Sequence, residues 1–188
     1  FQLVHTEMQS YNETGVGDTD LSALASSSDG AIDSIHASRD TYGADLVQLW
    51  VENSDVCGIA YAPYDNSTMN SLFGFSLKLR WCPSSTMAHE LGHNLTLSHD
   101  RYVVGLGKYQ PDIYGDGFGI VRTSDQVMTI MPYYNECRGF GLNCTEVPYF
   151  SNPDIMFQGL PLGLPGSMNA ARKLNQAAAV AANYRTTQ

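Results

Sequence analysis

Residues 89–100 read HELGHNLTLSHD. In a helix, His89 and His93 stand four positions apart and project from one face a turn apart. Two imidazoles so placed can share one Zn²⁺, with Glu90 beside them as a general base. A helix continuing to His99 would carry that side chain about 240° round from His93. For His99 to join the pair, the chain must leave the helix near residues 94–97 and turn back. Three imidazoles then leave a fourth tetrahedral position for water, as a catalytic zinc requires. The chain has five histidines, and three in so short a window argue against coincidence. His5 and His36 stand alone and read as ordinary structural or surface residues.

The pattern HExxHxxxxxHD resembles the zinc signature of the metzincin endopeptidases. Asp100, directly after the third histidine, is similar to the reprolysin (adamalysin) branch, especially its secreted bacterial-type members. The resemblance continues through residues 129–137, TIMPYYNEC, which look like the metzincin Met-turn with Met131 as its methionine. It then runs through residues 148–154, PYFSNPD, into the C-terminal helix, and so covers nearly the whole chain.

The resemblance implies one catalytic Zn²⁺ on His89, His93 and His99, and a zinc-bound water whose proton Glu90 takes. Met131 would form a hydrophobic floor under the metal without ligating it. Asp100 would support the site from behind the ligands, the alternative being an exposed helix-end carboxylate. In some metzincins a tyrosine placed like Tyr133 touches the metal or the transition state; pocket wall or surface is its other reading. Pro132, Tyr133, Tyr134, Tyr149 and Phe150 would line the S1′ pocket, and their apolar content suggests a hydrophobic residue after the cut. Proteins or peptides would be the substrates. A secretion signal and an inhibitory pro-segment are implied upstream, giving a secreted zymogen. The start at Phe1 rather than Met fits a processed or trimmed form. Relatives usually carry a further strand and helix before the segment that residues 1–7 resemble.

One position departs from the family pattern. Three residues after the second histidine the family has Gly, where the turn wants a positive φ. Here it is Thr96, and a β-branched residue in that region costs about 1–2 kcal/mol. Either the turn takes another shape, or Thr96 is strained and held there, with His99 still on the metal. The same change creates the sequon Asn94-Leu95-Thr96. A glycan there would crowd the site, so Asn94 is expected to be unmodified.

At 188 residues a single domain is the expectation, with an upper part over about 1–99 and a lower part over about 100–188. Hydrophobic residues make up 43% and charged residues 15%, with a net charge of −9. That is a globular composition with no basic patch for nucleic acid. No apolar run approaches a membrane span, and nothing signals oligomerisation, so a monomer is expected. Cys57, Cys82, Cys137 and Cys144 permit three full pairings. They form no CxxC pair, and a secreted reading favours disulfides.

Along the chain, residues 1–9 alternate in part and read as a strand, followed by loop with a helical turn at 20–25. Ser28 or Asp29 can cap a helix to about residue 42, ended by Gly43. Strands are expected at 44–51, 58–62 and 75–80. The last two form a candidate antiparallel hairpin, which brings Cys57 and Cys82 to its outer ends as a disulfide; Cys137–Cys144 follows by elimination. The zinc helix runs from 86 to about 95, with Ser84 or Ser85 as N-cap. Residues 100–126 and 147–165 read as loop. Asp112 and Asp116 could suggest Ca²⁺, but their spacing matches no EF-hand loop. Ser167 caps a last helix to about residue 184, with Met168, Ala171, Leu174, Ala178, Ala181 and Tyr184 on one side.

The order implies an α/β fold: a twisted mixed, mostly parallel sheet with an antiparallel edge strand, an active-site helix, a Met-turn and a C-terminal helix. The expected function is that of a secreted zinc endopeptidase. The alternatives are an impaired zinc-bearing peptide-binding module and a metallo-amidase acting on a small or cell-wall substrate.

Overall fold

The computed structural model describes residues 1–105 and 115–185. Helix α1, Gly17–Ala25, and helix α2, Ser34–Thr41, precede strands β1, Val47–Val51, β2, Gly58–Ala60, and β3, Phe75–Leu79. The sheet order is β1-β3-β2, with β1 parallel and β2 antiparallel to β3. The antiparallel edge strand is present, but with one pair of each kind this sheet is mixed rather than mostly parallel.

Alternation along the strands divides the sheet into two faces. Phe75 packs with Leu21, Leu24 and Ile32, supported by Val47 and Leu49, so α1 and α2 cover one face. Gln48 points the other way, donating to Ser76 Oγ and to the Met87 carbonyl. That carbonyl belongs to helix α3, Ser85–Asn94, which carries the histidine pair. The sheet is thus sandwiched between helices, and α3 lies on the face away from α1.

Beyond α3 come short elements: strand β4, Ser98–Asp100, helix α4, Arg101–Val103, and strands β5, Phe118–Gly119, β6, Val121–Arg122, and β7, Val127–Met128. Helix α5, Asn135–Gly139, strand β8, Thr145–Glu146, the antiparallel pair β9, Asn152–Phe157, and β10, Leu160–Leu162, and helix α6, Ala170–Ala181, complete the chain. Ala177 and Ala181 of α6 pack on Met69 and Leu95, and Ala170 packs on Leu97 and Met131. The last helix therefore underpins the chain where it leaves α3.

Several expectations are corrected. Residues 1–9 form no strand: they join no strand ladder among the described residues, and Phe1, Leu3 and Met8 are exposed. Alternation suits a sheet face only where a partner strand exists. Residues 147–165, expected as loop, contain the β9–β10 hairpin, whose turn holds Gln158 and Gly159 at φ 54° and 81°. Its prolines, Pro153 and Pro161, misled the sequence reading; a two-stranded ribbon tolerates them because each strand has a free edge. Residues 100–126 likewise hold β5, β6 and α4, with 106–114 outside the description. The final helix starts later than expected. Its cap is Asn169, whose Oδ1 accepts from Arg172 N at 3.1 Å, and Ala178 is exposed rather than on the packed stripe.

Disulfides join Cys57 to Cys82 and Cys137 to Cys144. The hairpin register places Cys57 opposite Leu79 rather than Cys82, through Leu79 N donating to Cys57 O. The chain then turns, with Cys82 N donating to Leu79 O, and brings Cys82 back to its partner.

Candidate metal centre

Helix α3 presents His89 and His93 a turn apart, as the spacing requires. The chain leaves the helix at Leu95, and Thr96 takes φ 69°. Thr96 therefore occupies the left-handed region that its β-branched side chain disfavours. It is fully buried, and its Oγ1 has no hydrogen-bond partner among the described residues. The turn returns His99 on β4, whose Nε2 lies 3.1 Å from His93 Nε2; His89 Nε2 lies at the same distance from His93 Nε2.

These separations test the fit to a metal. Two nitrogens each about 2.05 Å from a tetrahedral ion stand about 3.3 Å apart, close to the 3.1 Å from His93 to each of its two partners. His89 Nδ1 donates to the Ile130 carbonyl at 3.0 Å, and His93 Nδ1 to the Leu97 carbonyl at 2.9 Å. Donation from Nδ1 fixes the tautomer and leaves each Nε2 lone pair aimed at the shared point. Burial also holds the rings neutral. It lowers the pKa of His89, and with the neighbouring His89 charge takes His93 down to about 3. His99 is lowered too, by burial first and then by His93 and His89. The cluster could hold a metal ion, and its three-imidazole donor set suits zinc.

Glu90 lines the same cleft, a space of about 280 Å³ bounded also by Gly58, Ile59, Ala60, His93, His99 and Tyr133. It is 5% exposed, and burial pushes its carboxyl up to about 8. Met131 is fully buried. A Cβ on Gly92 would meet Met131 Sδ at 2.8 Å and Leu97 Cδ1 at 3.2 Å, so the glycine inside HELGH lets the methionine approach the helix below the histidines.

Asp100 is 1% exposed, which removes the exposed-carboxylate alternative. Its Oδ1 accepts from Val103 N at 2.9 Å and its Oδ2 from Tyr133 N at 3.0 Å. It ties the third histidine's neighbour to the segment just past Met131. Burial raises its pKa against the lowering effect of the backbone donors. The Tyr133 ring lies 3.9 Å from that of His99, between centroids, and is tilted against it.

Of the remaining pocket residues, Phe150 lies against the histidine helix, its Cε1 3.2 Å from where a Cβ on Gly92 would stand. Pro132 is buried and Tyr134 lies under the Arg138 guanidinium. Tyr149 and Phe150 line a second cavity of about 310 Å³ with Pro148, Asn152, Ile155, Ala171, Leu174 and Asn175. Of the calcium pair, Asp112 lies outside the described residues, and both Asp116 oxygens accept from Arg172.

Two residues have structural roles that escaped the sequence reading. Asn94, fully buried, donates from Nδ2 to the carbonyls of Tyr61, Phe73 and Phe75 at 2.8–2.9 Å, tying the end of α3 to the sheet. That seat leaves no room for a glycan. A polar residue directly after the second histidine was the available signal. The other is Gly58, whose backbone faces Glu90; nothing in the sequence marked it.

A helix-borne histidine pair, a third histidine returned by a turn, and a carboxylate in the same cleft define a metallopeptidase-type centre. The reprolysin-like model of metallo-peptidase family M12B matches residues 1–100, and the chain belongs to that family. A peptidyl-Asp metalloendopeptidase of Stenotrophomonas maltophilia is 34% identical over 98% of this chain and 42% of its own length. The protein of that name from Xanthomonas campestris is 34% identical over 98% of this chain and 41% of its own. The Pseudomonas aeruginosa protein of that name is 27% identical over 80% of this chain and 28% of its own. This chain thus spans about two fifths of the length of the first two relatives. A solved structure described as a chaperone-substrate complex matches with TM-score 0.64 at 20% identity, over 92% of this chain and 26% of that one, which shows shared fold.

Proposed function

We propose that this chain is the catalytic domain of a secreted zinc endopeptidase that hydrolyses internal peptide bonds. The observation carrying this reading is the convergence of three neutral imidazoles with Glu90 in one cleft. His89, His93 and His99 would hold the ion. A Zn²⁺ bound there supplies Lewis acidity, polarising the scissile carbonyl and bringing an attached water's pKa toward neutrality.

The chain's own groups do the rest. Glu90 accepts the proton of the attacking water and delivers it to the leaving amine. Its place in the cleft, lined together with His93 and His99, supports this role. The free edge of β2 offers main-chain groups to an extended substrate, which suits a polypeptide better than a small amide. Met131 serves as the apolar floor of the Met-turn, and Asp100 fixes the turn to the third ligand.

The relatives' names carry cleavage beside aspartate to this chain as a candidate. Its own cavity suggests otherwise: among the described residues no Lys or Arg lines either space, and a carboxylate without a cation or several donors is costly to desolvate. The walls of Tyr149, Phe150, Ile155 and Leu174 suit an apolar side chain after the cut.

The test is degradation of an unfolded protein by wild type and Glu90→Gln, with zinc measured on the same samples. One zinc in both and cutting only by wild type supports the reading. Zinc in both and cutting by neither moves the binding-module and small-substrate readings ahead.

A further inference from the structure

The geometry points to Gly58 as the residue that positions Glu90: the missing side chain on β2 is the seat of the carboxylate. This inference rests on the peptidase reading for its consequence, though not for its geometry. A Cβ built on Gly58 would overlap Glu90 Oε1 and lie 2.7 Å from Glu90 Cγ and 2.8 Å from its Cδ. Real side-chain atoms do not approach so closely, so any residue larger than glycine must push the glutamate away.

Two further facts make this contact decisive. First, no hydrogen bond holds the Glu90 carboxylate among the described residues, so packing alone sets its direction. A side chain with no polar anchor takes the rotamer its walls permit. Second, the wall is rigid. Gly58 is paired with Lys78 across the β2–β3 ladder, and the preceding residue, Cys57, is held both by its disulfide and by Leu79 N. Neither the strand nor the helix backbone yields easily, so an added methyl is absorbed by rotating Glu90.

No backbone requirement competes with this account. Gly58 is absent from the positive-φ glycines, so its conformation is open to any L residue. The glycine is needed for space and not for its dihedral freedom. Gly58 also borders the cleft, which puts the seat on the rim where substrate would lie. It acts through Glu90 and is a positioning residue.

Gly58→Ala should lower kcat on a peptide substrate by about 100-fold, the lower end of what a general base contributes. KM and zinc content should stay near wild type. Pairing it with Glu90→Asp, whose carboxylate is one methylene shorter, should reduce the loss from alanine to less than about tenfold, as expected for coupled neighbours. A Gly58→Ala enzyme with wild-type kcat, or one whose kcat falls by the same factor in both backgrounds, overturns the assignment.

A second arm needs no turnover, so it accepts or rejects the seat even if the peptidase reading fails. Melting temperatures are compared for wild type, Gly58→Ala, Glu90→Ala and the double variant. The seat predicts that alanine at 58 lowers Tm beside Glu90 and leaves it unchanged beside Ala. If Gly58→Ala alone does not fold, a folded double variant supports the seat and an unfolded one overturns it.

Discussion

The Nδ1 of His89 donates to the carbonyl of Ile130, 41 positions along the chain, at 3.0 Å. Ile130 N in turn donates to the Tyr149 carbonyl at 3.0 Å. One residue, Ile130, therefore links a candidate ligand to the segment walling the second cavity through its carbonyl and its N–H, next to Met131.

Met131 should be replaceable only by a side chain of similar volume. It is fully buried against Leu97 and Ala170. Met131→Ala leaves a cavity and should cost about 3 kcal/mol, whereas Met131→Leu should cost less than about 1.5 kcal/mol. Urea unfolding of the two variants checks this. Equal losses would mean that the contact at Gly92 depends on the sulfur itself.

Thr96→Gly should stabilise the protein by about 1 kcal/mol. The change relieves about 1–2 kcal/mol of left-handed strain and removes a buried hydroxyl without a partner. Against this stand glycine's extra unfolded-state entropy, about 0.5–1 kcal/mol, and the lost methyl burial, about 0.8 kcal/mol. A lower midpoint in urea would show that Thr96 is held by something the balance omits.

Asn94→Ala should be among the costliest single changes outside the cluster, at about 2–4 kcal/mol. It removes the amide that serves the carbonyls of Tyr61, Phe73 and Phe75; Phe75 O still accepts from Tyr61 N, while each group left unsatisfied costs about 1–3 kcal/mol, with water relieving part. Chemical unfolding measures the loss. A cost near zero would mean that water replaces the amide completely.

The histidine spacing carried most of this site, because a helix converts sequence distance directly into direction. The turn after α3 was legible as a conflict: Thr stood where a positive φ is needed, and the chain keeps the turn and bears the strain. The hairpin of β9 and β10 was not legible, because its two prolines resemble loop punctuation unless the missing outer neighbours are known. Residues 1–9 failed in the opposite sense, since their alternation says nothing of whether a partner strand exists. Gly58 could not be foreseen at all: its constraint comes from Glu90, 32 positions away.

In metal-free protein, acid should destabilise the fold through the three histidines. Their folded pKa values lie below the ordinary 6.5, so the unfolded chain binds more protons once the pH drops below that value. Stability is then present above about 6.5 and declines as pH falls, by about 1 kcal/mol per imidazole per pH unit at first. Glu90 works in the opposite direction, because its carboxyl is raised to about 8 and takes up a proton on folding between about 8 and its ordinary 4.5. The clean measurement therefore uses chelated Glu90→Gln protein, whose urea midpoint should fall between pH 7 and pH 5. A flat profile would mean that the imidazoles are not held neutral in the absence of metal.

Cleavage should favour an apolar residue directly after the cut. The second cavity presents Tyr149, Phe150, Ile155 and Leu174, with Asn152 and Asn175 as its polar members. Burying a leucine-sized side chain there contributes about 1.5–3 kcal/mol, or roughly 10- to 150-fold in kcat/KM over alanine. An aspartate in the same place would exchange its hydration for carboxamides and aromatic rings. Sequencing the fragments of a digested, unfolded protein checks this directly. Apolar residues at the new N-termini would place the selectivity in this cavity. Aspartate there would mean that a cation outside the two cavity linings reads the substrate, and Asn152→Leu would then leave the aspartate preference unchanged.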